Sequence, residues 1–169
     1  RNFIILKVYA EGLCGYGEVV ASSAPLYSYE TTSTARLILR DSLIPLLLEK
    51  NVSSPTDFYR EAGRFRGHPM AKAGLELALW DLQAKREHLP LWKVYRGTKI
   101  AIPAGVSLGI EDTVAALLER IDLFLKEGYQ RIKIKIKPGW DVATTREVRR
   151  RFPNMLLQAD ANGAYSLAD

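Results

Sequence analysis

The sequence has 169 residues, of which 47% are hydrophobic and 25% are charged, and its formal net charge is +5. A chain with this balance can bury a core, which excludes an intrinsically disordered protein. No apolar run approaches the roughly 18 residues of a membrane-spanning helix, so we expect no membrane partner.

The positive charge and the single cysteine bear on the expected partners and the cellular compartment. Much of the excess charge lies at residues 131–137 and 146–151. Neither cluster alternates with aromatic residues on which bases could stack, so we expect a solvated surface and no nucleic-acid partner. Cys14 has no second cysteine to pair with, and the first residues do not resemble a signal peptide. We therefore expect a cytoplasmic protein.

Residues 1–97 show the pattern of a small α+β domain. Two stretches rich in Ile, Val and Tyr, at 3–9 and 15–21, predict a β-hairpin connected through residues 11–14. Apolar residues at helical spacing follow. The predicted helices are 31–49 with an interruption at Pro45, a short helix that opens at Ser54-Pro55, and 70–87.

Residues 98–169 alternate between strand and helix patterns. The predicted strands are 102–109, 131–137 and 155–160, and the helices between them are capped by Asp112 and Asp141 and end at Gly128 and Phe152. A β-α-β-α-β order with short loops requires a parallel sheet, whose strand C-termini share the edge where ligands bind. The fold class we predict is an α+β capping domain followed by the first three strands of a (β/α)8 barrel, which is incomplete in this chain.

Lysine and isoleucine alternate along the second of these strands, at residues 131–137. In an antiparallel sheet this pattern would mean a wet lysine face over an isoleucine core. A parallel strand is covered on both faces, so there the lysines should point into the barrel. Desolvation and like charge both favour the neutral amine, and a lysine whose pKa falls toward 7–8 can act as a base at neutral pH.

The next strand ends in Asp160-Ala161-Asn162. Strand alternation predicts that Asp160 and Asn162 share one face, and a carboxylate beside an amide oxygen suits Mg²⁺. The alternative is an Asx turn that leads into Gly163.

Several segments resemble one enzyme superfamily over the whole chain. They are KIKIKPGWD, QADANGAYSLAD, GEVVASSAPLYSYET, FRGHPMAKAGLELALWDL and PAGVSLGI. These segments are similar to the muconate-lactonizing subgroup of the enolase superfamily, and within it to the o-succinylbenzoate synthases and N-succinylamino acid racemases. The resemblance implies a cap domain whose loops close over a small carboxylate substrate at a barrel mouth, with Mg²⁺, or Mn²⁺ in its place, as cofactor.

The resemblance also implies roles for individual residues. The Lys-x-Lys motif falls on Lys133 and Lys135, with Lys135 as the acid/base and Lys133 as its partner. Asp160 matches the first of three acidic metal ligands. The residues expected to bind substrate are Ser107, Asn162, Tyr27 and Arg66.

The activity that the resemblance implies is proton abstraction α to a carboxylate, foremost the syn dehydration that forms o-succinylbenzoate in menaquinone synthesis. The alternatives on the same site are an N-succinylamino acid racemase, a dipeptide epimerase and a cycloisomerase. A non-catalytic binding module is the alternative from a different class. A barrel needs about eight strands, so we expect this chain alone to be inactive. The resemblance also implies that the complete protein forms a homo-oligomer.

Overall fold

The structure is a computed structural model that describes residues 2–49 and 52–168. It divides into two compact units, Arg1–Thr98 and Lys99–Asp169, which we call the first and second units. Within the described ranges no helix combines the length and the apolar character that a membrane crossing requires.

The first unit opens with a hairpin of β1 (Ile4–Ala10) and β2 (Leu13–Val19), which pair antiparallel. Its turn consists of Glu11 and Gly12 alone, both with positive φ (53° and 76°). Two such residues are typical of a type I′ turn, whose twist matches that of the flanking strands. The expected connection through residues 11–14 is therefore wrong, because this tight turn leaves the two residues after it free to pair in the ladder.

The longest helix of the first unit, α4 (Pro69–Arg86), lies directly on the hairpin. Gly15 and Gly17 of β2 face it, and a Cβ atom on Gly17 would lie 1.9 Å from the carbonyl oxygen of Gly74. A side chain at either position would hold the helix away from the sheet. These two glycines are therefore packing residues.

Three consecutive helical segments lie around Pro45. They are α1 (Thr32–Ile38), a π-helical turn (Leu39–Leu43) and α2 (Ile44–Glu49). The irregularity therefore precedes Pro45, contrary to the sequence prediction. The amide of Ile44 donates to the carbonyl of Leu39, five residues back, and Pro45 falls in the first turn of α2, where its missing N–H is tolerated.

The first unit also contains α3 (Pro55–Ala62) and the short α5 (Leu91–Val94). Helix α3 begins as predicted, with Ser54 as its cap and Pro55 in its first turn. The core of this unit is built from the hairpin and helices together, and its fully buried side chains include Val19, Leu43 and Phe58.

The second unit is a three-stranded parallel sheet in the order β3-β4-β5. Its elements are β3 (Gly105–Leu108), α6 (Val114–Lys126), β4 (Arg131–Lys135), α7 (Val142–Arg151) and β5 (Leu156–Asp160). The predicted alternation of strand and helix is confirmed. In the described part of the chain the sheet does not close into a barrel, so the predicted fold class, a capping domain followed by an incomplete barrel, is confirmed as well.

Two details of the second unit differ from the sequence prediction. Helix α6 is capped by the Thr113 side chain, which accepts from the amide of Ala116, so the cap assigned to Asp112 is wrong by one residue. Strand β4 ends at Lys135, because Lys137 and Trp140 exchange backbone hydrogen bonds across a Pro138-Gly139 turn. Asp141 caps α7 as predicted.

The two faces of β4 have opposite environments. Ile132 and Ile134 are fully buried against Leu117 and Ile121 of α6 and Val148 of α7. Because side chains alternate along a strand, Lys133 and Lys135 lie on the face away from these helices. Packing against the helices thus orients β4 so that both lysines lie on the other side of the sheet.

Candidate active site

Four candidate residues of the second unit lie on its parallel strands, toward their C-terminal ends. In the sheet register, Lys135 lies opposite Asp160, and Lys133 lies between Ser107 on β3 and Gln158 on β5. Residues paired in register point to the same side of a sheet. The four candidate residues Ser107, Lys133, Lys135 and Asp160 therefore share one face.

The two lysines converge on a single carboxylate oxygen. The Nζ atom of Lys135 lies 2.8 Å from Oδ2 of Asp160, and the Nζ atom of Lys133 lies 2.9 Å from the same oxygen. Their side chains are 26% and 31% exposed, and that of Asp160 is 23% exposed. The group is thus half-buried, and part of each side chain remains accessible to a solute.

The other oxygen of Asp160 is held by the backbone. Oδ1 accepts a hydrogen bond from the amide of Asn162 at 3.0 Å, which forms an Asx turn. The hydrogen bond from Lys135, then that from Lys133 and the Asn162 amide, hold the pKa of Asp160 well below its usual range. Asp160 is therefore ionised at neutral pH.

The charge of this group suits an anionic ligand. Two lysine side chains face one carboxylate, so the group carries a positive excess when both amines are protonated. A half-buried positive excess attracts a small carboxylate more strongly than exposed lysines would. Repulsion and desolvation between the lysines, the two effects expected from the sequence, leave out the carboxylate that lies between them.

Asn162 departs from the strand pattern on which its sequence assignment depended. Strand β5 ends at Asp160, and Asn162 has a left-handed backbone with φ 49°. The expectation that both side chains share one face by alternation is therefore wrong, because alternation ends with the strand. The Asx turn, the alternative raised from the sequence, is present, and the side chain of Asn162 is exposed.

The donor chemistry here fits part of a magnesium site. Carboxylate oxygen is a ligand that Mg²⁺ accepts, and Asp160 is ionised and partly exposed. Residues 2–49 and 52–168 contain no group of three or more His, Cys, Asp or Glu side chains that could hold a metal ion together. The described chain thus offers one carboxylate ligand, and further ligands must come from elsewhere.

The remaining two candidates lie in the first unit. Tyr27 is 88% exposed in the loop of residues 22–30, and Arg66 is exposed in the loop of residues 63–68. The two loops are joined to each other, because the Tyr29 hydroxyl accepts the amide of His68 at 3.2 Å. The first unit therefore brings the loops of Tyr27 and Arg66 together.

Two residues near these groups are not among those predicted from the sequence. Gln158 lies beside Lys133 on β5, and the same alternation that places Asp160 also places Gln158 on its face. Glu30 is buried beneath the two loops of the first unit. It had no signal in the sequence, because the amides it binds are about 40 residues away.

Comparison with known proteins assigns the family. Residues 1–95, more than half of the chain, match the family described as mandelate racemase / muconate lactonizing enzyme, N-terminal domain. The chain belongs to this family. The resemblance to the enolase superfamily that the sequence motifs indicated is confirmed.

Two curated relatives match the whole chain. It is 48% identical to an o-succinylbenzoate synthase of Geobacillus kaustophilus, over 100% of this chain and 45% of the relative. It is 46% identical to an N-succinylamino acid racemase of Thermus thermophilus, over 100% of this chain and 46% of the relative. The chain thus spans less than half the length of these curated relatives.

A solved structure shows the same fold. The crystal structure of an enolase superfamily member from Enterococcus faecalis, described as unknown, superposes with a TM-score of 0.93 at 43% identity. The superposition covers 99% of this chain and 46% of that protein. The capping domain and the incomplete barrel therefore correspond to about half of a longer member of the superfamily.

Proposed function

We propose that the complete protein removes the proton α to a carboxylate, with o-succinylbenzoate synthase as the foremost activity. The observation that carries this proposal is the contact of Lys133 and Lys135 with Asp160 at the C-terminal ends of neighbouring parallel strands. The names of the relatives in Geobacillus and Thermus support it.

The chemistry requires a base, an anion site and charge stabilisation. Lys135 in its neutral form takes the α-proton, and the positive charge of Lys133 stabilises the negative charge that develops on the substrate carboxylate. Mg²⁺, with Asp160 as one ligand, supplies electrostatic stabilisation to that carboxylate when bound. Mn²⁺ accepts similar oxygen ligands.

In the dehydration Lys135 both removes the α-proton and gives it back. The amine takes the α-proton, the electron pair of the C–H bond forms the new C=C bond, and the β C–O bond breaks. Lys135 then returns its proton to the departing hydroxyl, which leaves as water. A syn elimination needs only this one lysine, since both the proton and the hydroxyl leave from the same face.

N-succinylamino acid racemase is the second candidate, and a specific observation favours it. The Thermus thermophilus relative of that name is nearly as similar to this chain as the Geobacillus synthase. Racemisation begins with the same proton abstraction, so Lys135, Lys133 and Asp160 serve both reactions. It also needs a second acid on the opposite face of the substrate, which the complete protein would have to provide.

A substrate assay of the complete protein tests the proposal. We expect turnover of the β-hydroxy acid precursor of o-succinylbenzoate with Mg²⁺ or Mn²⁺ and its loss in excess EDTA. Turnover of an N-succinylamino acid alone would favour the racemase. Dipeptides and muconate extend the substrate panel to the epimerase and cycloisomerase alternatives. Turnover of none of these substrates would favour a non-catalytic binding module. We also expect the complete protein to form a homo-oligomer, which its molar mass in solution would show.

A further inference from the structure

A tyrosine after the last strand of the second unit is hydrogen-bonded to the beginning of a neighbouring helix. The hydroxyl of Tyr165 donates to Oδ2 of Asp141 at 2.9 Å. Asp141 is the residue that caps α7, and its Oδ1 accepts the amide of Val142 at 2.6 Å. The two oxygens of one carboxylate thus bind two segments of the chain, the helix α7 and the loop that follows β5.

Asp141 is held in place from several sides. Its backbone carbonyl accepts the amide of Thr145 at 2.7 Å, so its main chain and its side chain both bind the beginning of α7. Trp140, the residue before it, packs against the core of the second unit. Trp140 and Lys137 also exchange backbone hydrogen bonds. The position of Asp141 is therefore determined by the helix, the core and the turn that precedes it.

The loop that follows β5 begins with a single tight turn. The amide of Ala164 donates to the carbonyl of Ala161 at 2.9 Å. The two residues between them, Asn162 and Gly163, have positive φ (49° and 74°). This combination is typical of a type I′ turn. Because the turn is only four residues long, an anchor at Tyr165 also limits the movement of the Asn162 amide.

The first half of this turn holds the carboxylate of Asp160. Its Oδ1 accepts the amide of Asn162 at 3.0 Å, while its Oδ2 lies within 2.9 Å of the Nζ atoms of both lysines of β4. One oxygen is thus fixed by the backbone of the turn, and the other faces the side chains of the candidate site. The orientation of the Asp160 carboxylate therefore depends on where the turn places the Asn162 amide.

From these contacts we infer that Asp141 and Tyr165 form a positioning pair, which holds the turn after β5 so that Asp160 is oriented to bind the divalent cation. The inference rests on the proposed function, in which Asp160 is one ligand of Mg²⁺. Both residues of the pair act through the turn, so neither is a catalytic residue. Without their contact the turn gains freedom that it must lose again when the cation binds, and the affinity for the cation falls.

Direct measurement of Mn²⁺ binding to the complete protein, without substrate, tests this inference. Tyr165→Phe removes only the hydroxyl that donates to Asp141. Asp141→Ser keeps a side-chain oxygen that can cap α7 but has no second oxygen for Tyr165. The double variant completes a mutant cycle. Tyr129→Phe is the matched control, because it removes the same hydroxyl from a half-buried position just before β4, at the opposite edge of the sheet.

We expect each single variant to raise the Kd for Mn²⁺ about fivefold, the effect of one hydrogen bond, and the control to stay within about 1.5-fold of the wild type. The double variant should bind Mn²⁺ as weakly as the single variants, because either change removes the same contact. A Kd close to the wild-type value in both single variants would overturn the inference. If Asp141→Ser does not fold, the Kd of Tyr165→Phe decides alone.

Turnover at different Mg²⁺ concentrations distinguishes positioning of the cation ligand from a general loss of structure. In the single variants the Mg²⁺ concentration that gives half of the maximal rate should rise by a factor similar to the change in Kd. The value of kcat at saturating Mg²⁺ should change less than about twofold. A kcat that stays low at saturating Mg²⁺ would indicate a merely structural role and would overturn the inference.

Amide hydrogen exchange separates this inference from the proposed function. If the wild-type protein binds no Mn²⁺ and turns over none of the substrates, the proposed function is wrong, and exchange at residues 161–165 then decides whether the pair holds the turn. We expect faster exchange of this segment in Tyr165→Phe and Asp141→Ser than in the wild type or Tyr129→Phe. Unchanged exchange in both variants would overturn the inference.

Discussion

Replacing Gly17 by alanine tests the direct contact between β2 and α4. A Cβ atom there would lie 1.9 Å from the carbonyl oxygen of Gly74 and 2.8 Å from the amide nitrogen of Ala78. Real Cβ atoms essentially never approach closer than 3.0 Å, so the helix must move by about 1 Å. Both neighbours are backbone atoms, and no change of rotamer can relieve the overlap.

The cost follows from this overlap. Overpacking a core position typically costs about 1–3 kcal/mol, and a contact with backbone belongs at the upper end, so we expect the free energy of unfolding to fall by about 3 kcal/mol. Chemical denaturation of the complete protein measures it. Gly109→Ala is the control, because a Cβ there meets nothing within 4 Å. A free energy of unfolding of Gly17→Ala within about 0.5 kcal/mol of that of the wild type would refute the direct contact.

Two further predictions concern helix caps. Thr113→Ala should destabilise the protein by about 1 kcal/mol and Asp112→Ala much less, since only Thr113 accepts from the amide of Ala116. Equal losses in denaturation midpoint would contradict this cap assignment. Hydrogen bonds from Ser53 and Ser54 lower the pKa of Asp57, so its contribution to stability is complete above a pH of about 4 and declines as the pH falls further. The urea midpoint of the wild type should therefore fall more steeply below that pH than the midpoint of Asp57→Asn, and identical slopes would argue against a stabilising role of these two hydrogen bonds.

The order and type of the elements in the second unit could be predicted from sequence because local signals determine them. The alternation at residues 131–135 places isoleucines on one side of β4, and Asp141 stands where a helix cap is needed. The type of sheet followed from the short helical crossovers, which only parallel strands permit. These signals also bring Lys135 and Asp160 to the same edge of the sheet.

Features that depend on one particular contact could not be predicted in this way. The convergence of Lys133 and Lys135 on one oxygen of Asp160 depends on side-chain rotamers, which strand alternation does not determine. The turn at Glu11 requires a positive φ at a residue other than glycine, which propensity disfavours. The hydrogen bonds that Glu30 accepts join residues far apart in the sequence, where no spacing rule applies.

The central claim is that Lys135 removes the α-proton of a carboxylate substrate, and isotope exchange tests it most directly. The complete protein is incubated with Mg²⁺ and an N-succinylamino acid in D₂O, and loss of the α-proton signal is followed by NMR. The two enantiomers are assayed separately. For one of them we predict exchange by the wild-type protein and a loss of about 10²–10⁴-fold in Lys135→Ala, whose fold is checked by circular dichroism. Exchange of both enantiomers by folded Lys135→Ala at rates close to those of the wild type would contradict the claim.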